Sequence, residues 1–261
     1  MPASDLAALG ELLSGAVRAA GALALSYTRA NLKHWTKGKD SPVSEADIAV
    51  DALLKERLAP TAYEWLSEEA EDNFTRLDAR RVWVIDPIDG TRAFIAGKPD
   101  WTISAALVED GRPIAATVFA PATDEFFFAT AGSGATCNGA PIRASDNPTL
   151  AAASVSGPKR VTDNLAQRQP DLTVLPRIHS LALRFARVAQ GTLDIALAGG
   201  NSHDWDLAAA DLLVHEAGGT LTTLAGNTAI YNRREPVHGP LVAAGRARSQ
   251  VLRELLQDWR P

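Results

Sequence analysis

The sequence predicts a mixed α/β protein. Three observations carry that expectation. The Ala- and Leu-rich N-terminus and the stretch "SEADIAVDALLKERL" have apolar positions at helical spacing. "TISAALVEDGRPIAATVFAP" holds two apolar runs around Glu109-Asp110-Gly111-Arg112, the mark of a hairpin. Beyond "SDNPTLA" the pattern changes, and short apolar runs alternate with helical segments. A chain of 261 residues, 46% hydrophobic, suits one large domain or two lobes that share a site.

In chain order, residues 4–30 predict a helix. Glu11 and Arg18 interrupt its apolar run and no basic segment precedes it, so it reads as an amphipathic helix, not a signal peptide or membrane span. "TKGKDSP" (36–42) reads as a loop broken by Gly38 and Pro42. A second helix follows, with Ser44 as N-cap, Asp47 three residues on, and a stripe of Val50, Leu53, Leu54 and Leu58. "RVWVID" (81–86) is a buried strand, the hairpin comes next, "EFFFAT" continues the meander, and "ATCNGAPI" turns at Asn138-Gly139. The first half is thus two long helices on an antiparallel sheet.

In the second half "AAASVSG", "LTVLP", "TLDIAL" and "LVAAG" read as strands. "SLALRFARVAQG" is a helix ended by Gly191, "WDLAAADLLVHEAGG" one stopped by Gly218-Gly219, and a last helix closes the chain. The expected division is an N-terminal lobe, 1–148, carrying most of the candidate ligands, and a C-terminal lobe, 149–261, completing the site.

A net charge of −5 and a pI near 5.6 argue against a nucleic-acid polymer as partner. A small anionic substrate stays open if a metal or local basic residues supply charge. The single cysteine, Cys137, excludes an intrachain disulfide and fits a reducing, cytoplasmic setting.

"WVIDPIDGTRAF" (83–94) carries the chemistry. Asp86 and Asp89 stand at the end of a buried strand with Pro87 between them, and no Lys or Arg precedes Arg92 in the stretch. Crowded, buried carboxylates need a positive partner. Two carboxylates and the Ile88 carbonyl suit a hard divalent cation. A short helix, 90–96, would start at Gly90-Thr91 and offer N–H groups to a phosphate. Taken alone, the same residues also fit helix-capping acids in a turn. In "SEEAED" (67–72), Glu69, Glu71 and Asp72 read as a solvated loop. In "SHDWDLAAAD", one of Asp204 and Asp206 caps a helix and leaves the other for a ligand role. His203 is a donor near the site or a solvated loop residue, His215 a structural residue of the helix, and Lys37, Lys39, Lys98 and Arg177 are surface charges or contacts to an anion.

In order and separation, "SEE", "WVIDPIDGTRAF" and "WDLAAADLLVHEAGG" resemble the inositol monophosphatase superfamily of Mg²⁺-dependent, Li⁺-sensitive phosphatases, over nearly the whole chain. The resemblance implies a layered α/β/α/β/α sandwich and two or three Mg²⁺ ions. It makes Glu68, Asp86, the Ile88 carbonyl, Asp89 and Asp206 metal ligands. Asp47 matches an acid near a third ion, acting mostly through water, and Thr91 the threonine that helps Glu68 orient the attacking water. Asp89, Gly90, Thr91, Arg92 and Asp206 then surround the phosphate.

Within that superfamily, inositol phosphatases carry an acid about seven residues before the Trp-Asp aspartate. Here Gly199 and Gly200 occupy that zone. Arg92 stands where bisphosphate nucleotidases usually have a basic residue, and "KDSPVSEAD" and "LSEE" look like the same branch, although "KDSPVSEAD" also resembles histidinol phosphatases. Where that branch has "GSSLKF", this chain runs from His179 to Phe185. The expectation is a 3'(2'),5'-bisphosphate nucleotidase, with an inositol monophosphatase or another sugar or polyol phosphatase second, and a metal-binding regulatory scaffold as the non-enzymatic reading. A small phosphate ester is the expected partner, for a monomer or homodimer acting away from membranes.

Overall fold

The computed structural model describes residues 3–27, 32–37 and 41–256. Helix α1 (Ala3–Ser26) is followed by a short antiparallel pair, β1 (His34–Lys37) and β2 (Ser41–Ser44), and by α2 (Glu45–Leu58). A seven-stranded sheet then runs in chain order through β3 (Glu64–Ser67), β4 (Arg81–Asp89), β5 (Thr102–Glu109), β6 (Arg112–Ala120), β7 (Glu125–Thr130), β8 (Ala135–Cys137) and β9 (Ala140–Ile142), with α3 (Thr91–Ala96) after β4. It is antiparallel except for β3 against β4.

The remaining elements are β10 (Ser154–Ser156), α4 (Lys159–Arg168), β11 (Thr173–Val174), α5 (Leu181–Gln190), β12 (Ile195–Ala198), β13 (Ser202–His203), α6 (Asp204–Glu216), β14 (Gly219–Thr223), β15 (Val237–His238), β16 (Leu241–Gly245) and α7 (Arg246–Leu256). The second sheet has the order β11-β10-β12-β16-β14.

The layers follow from burial. Successive residues of a strand face opposite sides of a sheet. On β4, Trp83 and Ile85 enter a core with α1 and α2, whereas Val82 and Val84 enter a core with α5 and α6. Burial on both faces is why the run is continuously apolar. Across α5 and α6 lies the second sheet, and Val161 and Leu165 of α4 and Leu252 of α7 cover its far side. The result is the expected α/β/α/β/α sandwich.

Asp5–Ser26 is long and apolar enough, at mean hydropathy 1.3, to cross a membrane by length and composition. One face of α1 is instead core: Leu13, Val17, Ala20 and Ala24 are fully buried against the sheet. Gly21 permits the close approach, since a Cβ there would lie 2.3 Å from the Phe119 ring.

Several local expectations change. Helix α1 ends at Ser26 and Tyr27 is no longer helical; 28–30 lie outside the described residues. Thr36-Lys37 and Ser41-Pro42 pair as strands, not loop, while 38–40, Lys39 among them, also lie outside. Strand β4 runs through Pro87 to Asp89. Helix α4 was not expected; it is polar, with only Val161, Thr162 and Leu165 buried.

Candidate metal centre

The end of β4 is shaped by its own backbone. Asp86 pairs with Ser104 of β5 and Asp89 with Thr102, so the register slips across Pro87 and Ile88. Proline brings no N–H to leave unpaired in that bulge. The Ile88 N–H donates back to Asp86 Oδ1 at 3.0 Å, and the Ile88 carbonyl accepts from Thr91 Oγ1 at 3.1 Å. Gly90 makes the turn at φ 94°, and a Cβ there would lie 3.2 Å from both the Asp100 carbonyl and the Ser180 nitrogen. Only glycine meets both demands at low cost. Helix α3 begins at the next residue.

The N-termini of α5 and α6 close on the same place. Asp89 Oδ2 accepts from Ser180 Oγ at 2.6 Å and from the Ala182 N–H at 2.7 Å, so this carboxylate of β4 caps α5. The Ser180 hydroxyl proton is thereby committed, and Thr102 Oγ1, 2.9 Å away, donates to it. Asp206 Oδ2 accepts from the His203 N–H at 2.6 Å. One oxygen each of Asp86, Asp89 and Asp206 lies within 4.8 Å of the others.

Two more acids flank this group. Asp47 Oδ2 accepts from the Ser44 N–H at 2.9 Å and from the Ser44 hydroxyl at 2.5 Å, as the expected cap of α2 requires. Its Oδ1 lies 3.1 Å from Thr91 Oγ1. Thr91 therefore has two acceptors for one proton, Asp47 and the Ile88 carbonyl. Glu68 follows β3, tied by its N–H to the Ile85 carbonyl at 3.2 Å.

The electrostatics are those of carboxylates awaiting a cation. Burial pushes Asp86 well above the usual carboxylate range, and Glu68, Asp89, Asp206 and Asp47 push it further. Asp206 is raised likewise, by burial and then by Asp89. Asp89 is raised by burial against the opposing pull of its bonds to α5. Glu68 is pushed up to about 7, by burial first, with Lys37 opposing and Glu69, Asp47 and Asp89 adding to it. The donors to Asp86, Asp89 and Asp206 named above are neutral, and all the ligand atoms on offer are oxygen. That donor set fits a hard divalent cation such as Mg²⁺.

Sequence reasoning misjudged several neighbours. Glu69 is not solvated: its side chain is 3% exposed and bonds Lys37 Nζ at 2.7 Å. Lys37 also donates to the Glu68 carbonyl at 3.1 Å, so it is a built part of the site's edge. Asp72 pairs with the fully buried Arg76, whereas Glu71 is exposed as expected. Neither Asp204 nor Asp206 is simply free: Asp206 caps α6 and faces the cluster, and Asp204 meets His238 Nε2 at 2.6 Å. His203 stacks on Trp205, with ring centroids 4.6 Å apart. His215 is exposed on α6 and takes no part in the core. Lys98 Nζ lies 3.3 Å from His179 Nε2, whose Nδ1 is 2.5 Å from Asp100. Cys137 is buried, and burial pushes its thiol up, as an inert thiol requires.

The family model for the inositol monophosphatase family matches residues 5–258. The chain belongs to the inositol monophosphatase family. Members of this family are Mg²⁺-dependent phosphatases, and the acidic cluster is in keeping with that chemistry. The chain is 31% identical over 241 residues to an inositol-1-monophosphatase of Rhizobium meliloti, covering 87% of each protein. It is 37% identical over 205 residues to a histidinol-phosphatase of Mycobacterium tuberculosis, covering 73% of this chain and 77% of that one. Its fold is similar to that of the extragenic suppressor protein suhB from Bartonella henselae, with a TM-score of 0.84 at 27% identity, over 97% of this chain and all of the other.

Proposed function

We propose that this chain hydrolyses a small phosphate monoester with Mg²⁺ held by Glu68, Asp86, the Ile88 carbonyl, Asp89 and Asp206. The convergence of Asp86, Asp89 and Asp206 oxygens within 4.8 Å carries this reading. Bound Mg²⁺ supplies charge to the phosphoryl oxygens and lowers the pKa of water. The chain's own residues do the rest. Glu68 would both hold the metal and, with Thr91, orient the attacking water. The Thr91 proton goes to Asp47 or to the Ile88 carbonyl, which leaves a hydroxyl lone pair to hold that water. Asp47 fixes Thr91, Gly90 and Thr91 line the seat of the phosphate, and Arg92 follows just past it. The expected setting is a cytoplasmic monomer or homodimer acting on no nucleic-acid polymer.

For the substrate, the favoured reading is a 3'(2'),5'-bisphosphate nucleotide. Gly199 stands seven residues before Asp206, and a Cβ there would meet only Pro158, at 3.7 Å. Asp194, the acid before it, is engaged with Arg248 at 2.9 Å and with Ser154. A glycine where a polyol would find a carboxylate favours a different leaving group. Exposed cations, Arg92, Lys98 and Arg177, stand near Thr91 and the start of α5 and suit a second phosphate. A second reading rests on the names of the relatives: inositol phosphate or histidinol phosphate.

The test is phosphate release with Mg²⁺ from 3'-phosphoadenosine 5'-phosphate, inositol 1-phosphate and histidinol phosphate. The bisphosphate should have the highest kcat/KM. A win for either other ester replaces the substrate reading and keeps the phosphatase. No release from any of them would favour a metal-binding scaffold.

A further inference from the structure

The segment Tyr231–His238 lies across the two parts of the chain that bring Glu68 and Asp206 to the metal centre. On one side is the loop that continues from Glu68 to Arg76. Arg76 is fully buried and holds Asp72 through Nε at 3.1 Å and Nη2 at 2.7 Å. Its remaining nitrogen, Nη1, donates to Asn232 Oδ1 at 2.8 Å and to the Arg233 carbonyl at 3.0 Å. Asn232 Nδ2 returns a bond to the Arg76 carbonyl at 2.9 Å. On the other side is the start of α6. The Asn232 N–H donates to Asp204 Oδ2 at 2.6 Å, His238 Nε2 meets Asp204 Oδ1 at 2.6 Å, and the Asp204 N–H donates to the Pro236 carbonyl at 3.0 Å.

Asn232 therefore uses its side chain on one half of the site and its backbone on the other. It does so at φ 58°, in the left-handed region that asparagine tolerates better than other residues with a side chain. A second hold lies beside it: the Arg234 guanidinium sits 5.0 Å from the Phe74 ring centroid.

The two parts so joined are the ones that carry Glu68 and Asp206, and the bonds of Asn232 to Arg76 and Asp204 run directly between them. We propose that Asn232 is a positioning residue of the metal centre, setting the separation of Glu68 from Asp206 through Arg76 and Asp204, so that a divalent cation meets an acidic site already assembled. The inference rests on the metal-centre reading above.

The test is Mn²⁺ binding to metal-free protein, measured by titration calorimetry. Asn232→Gly keeps the left-handed backbone and the N–H to Asp204, and deletes only the two side-chain bonds to Arg76, leaving the Arg76 bond to the Arg233 carbonyl. Mn²⁺ should bind it about fivefold to tenfold more weakly, the size expected for one or two lost hydrogen bonds, with kcat at saturating Mg²⁺ within about twofold of the parent. Asn232→Asp retains the acceptor for Arg76 and should restore most of the affinity. Val155→Ala, a cavity in the outer core remote from the site, should lower Tm and leave Mn²⁺ affinity alone. If Asn232→Gly does not fold, Arg234→Ala loosens the same segment at the surface and should weaken Mn²⁺ about twofold. Parent-like affinity in Asn232→Gly, or in Arg234→Ala where that stands in, overturns the proposal, as does an equal loss in Val155→Ala. A parent protein that binds no Mn²⁺ overturns the metal centre itself.

Discussion

The end of β4 and the start of α6 deliver carboxylates to one place by different means. At the β4 end the bonds that shape the turn are local: Ile88 N–H to Asp86 and Thr91 to the Ile88 carbonyl span two and three residues, although Asp89 also reaches Ser180 and Ala182 at the start of α5. At the α6 start, Asp206 has a local cap, but Asp204 is held by Asn232 and His238, 28 and 34 residues further on. The first arrangement has its turn encoded in a contiguous motif, with α5 needed only to hold Asp89. The second exists only once the chain has folded. Substitutions at the β4 end should therefore act mainly on charge and chemistry, and those around α6 on how well the site is assembled.

The largest effects should come from removing a ligand charge on either side. Asp89→Asn and Asp206→Asn should each lower turnover about a thousandfold or more, since a metal supplies several kcal/mol of charge stabilisation. Relief of repulsion should leave the metal-free Tm level or raised. Near-parent turnover at saturating Mg²⁺ in either variant removes that residue from the ligand set.

A smaller effect should separate assembly from chemistry. Ser180→Ala removes the hydroxyl donor to Asp89 and the N-cap of α5 at once. Losing a donor that orients a ligand typically costs about 10–100-fold in metal affinity or activity, and losing a cap about 1 kcal/mol of stability. Phosphate release titrated with Mg²⁺, together with Tm, separates the two losses. A lowered Tm with an unchanged Mg²⁺ midpoint would leave Ser180 a cap and nothing more.

A third effect is set by protons. The unfolded chain gives up the Glu68 proton near 4.5, whereas the folded, metal-free site holds it to about 7 because the group is buried. A raised carboxyl contributes stability that is complete below the unfolded value and is lost as pH climbs through the folded one. Asp86 and Asp206 are shifted in the same direction. The metal-free Tm should thus fall between pH 5.5 and 8. The rise in Tm on adding Mg²⁺ should be larger at pH 8, where fewer protons compete. Glu68→Gln should flatten the first slope and lower turnover more than it weakens Mg²⁺. A metal-free Tm that is flat or rising over that range would contradict the assignment of these protons.

The same contrast explains what was legible beforehand. The layered fold, the hairpin turns and the β4 motif were readable because periodicity, turn residues and the two acids lie within short stretches of sequence. Helix α4 was not: Val161, Thr162 and Leu165 share one face, but the segment is polar overall and starts after Pro158 with no side-chain cap to mark it. The strands β1 and β2 are four residues each and flank Gly38, so they looked like loop. Glu69 read as part of a solvated run because nothing local shows Lys37, 32 residues earlier, arriving beside it, whereas Asp72 had a local signal. The spacing of Asp72 and Arg76, four apart, was the available signal. Asn232 stands in "YNRREP", which looks like any polar turn, and its side-chain partner is 156 residues away.

The smallest expected effect concerns the substrate and sits on the local side of the comparison. Arg92 is exposed and follows Thr91 directly, so it belongs to the β4 motif and not to the assembled half. If its charge meets the second phosphate of a bisphosphate, a charge-assisted hydrogen bond of about 1.5–3 kcal/mol is lost in Arg92→Ala, or roughly tenfold to a hundredfold in kcat/KM for that ester alone. Exposure to solvent and salt will pull the figure toward the lower end. A monophosphate should be nearly indifferent, and the Mg²⁺ midpoint should not move, because Arg92 is no ligand. Raising ionic strength should shrink the difference between parent and variant on the bisphosphate. Equal losses on both kinds of ester would instead place Arg92 at the reacting phosphate, remove its support for the bisphosphate reading, and leave Lys98, Arg177 and the glycine at 199 as the remaining arguments for it.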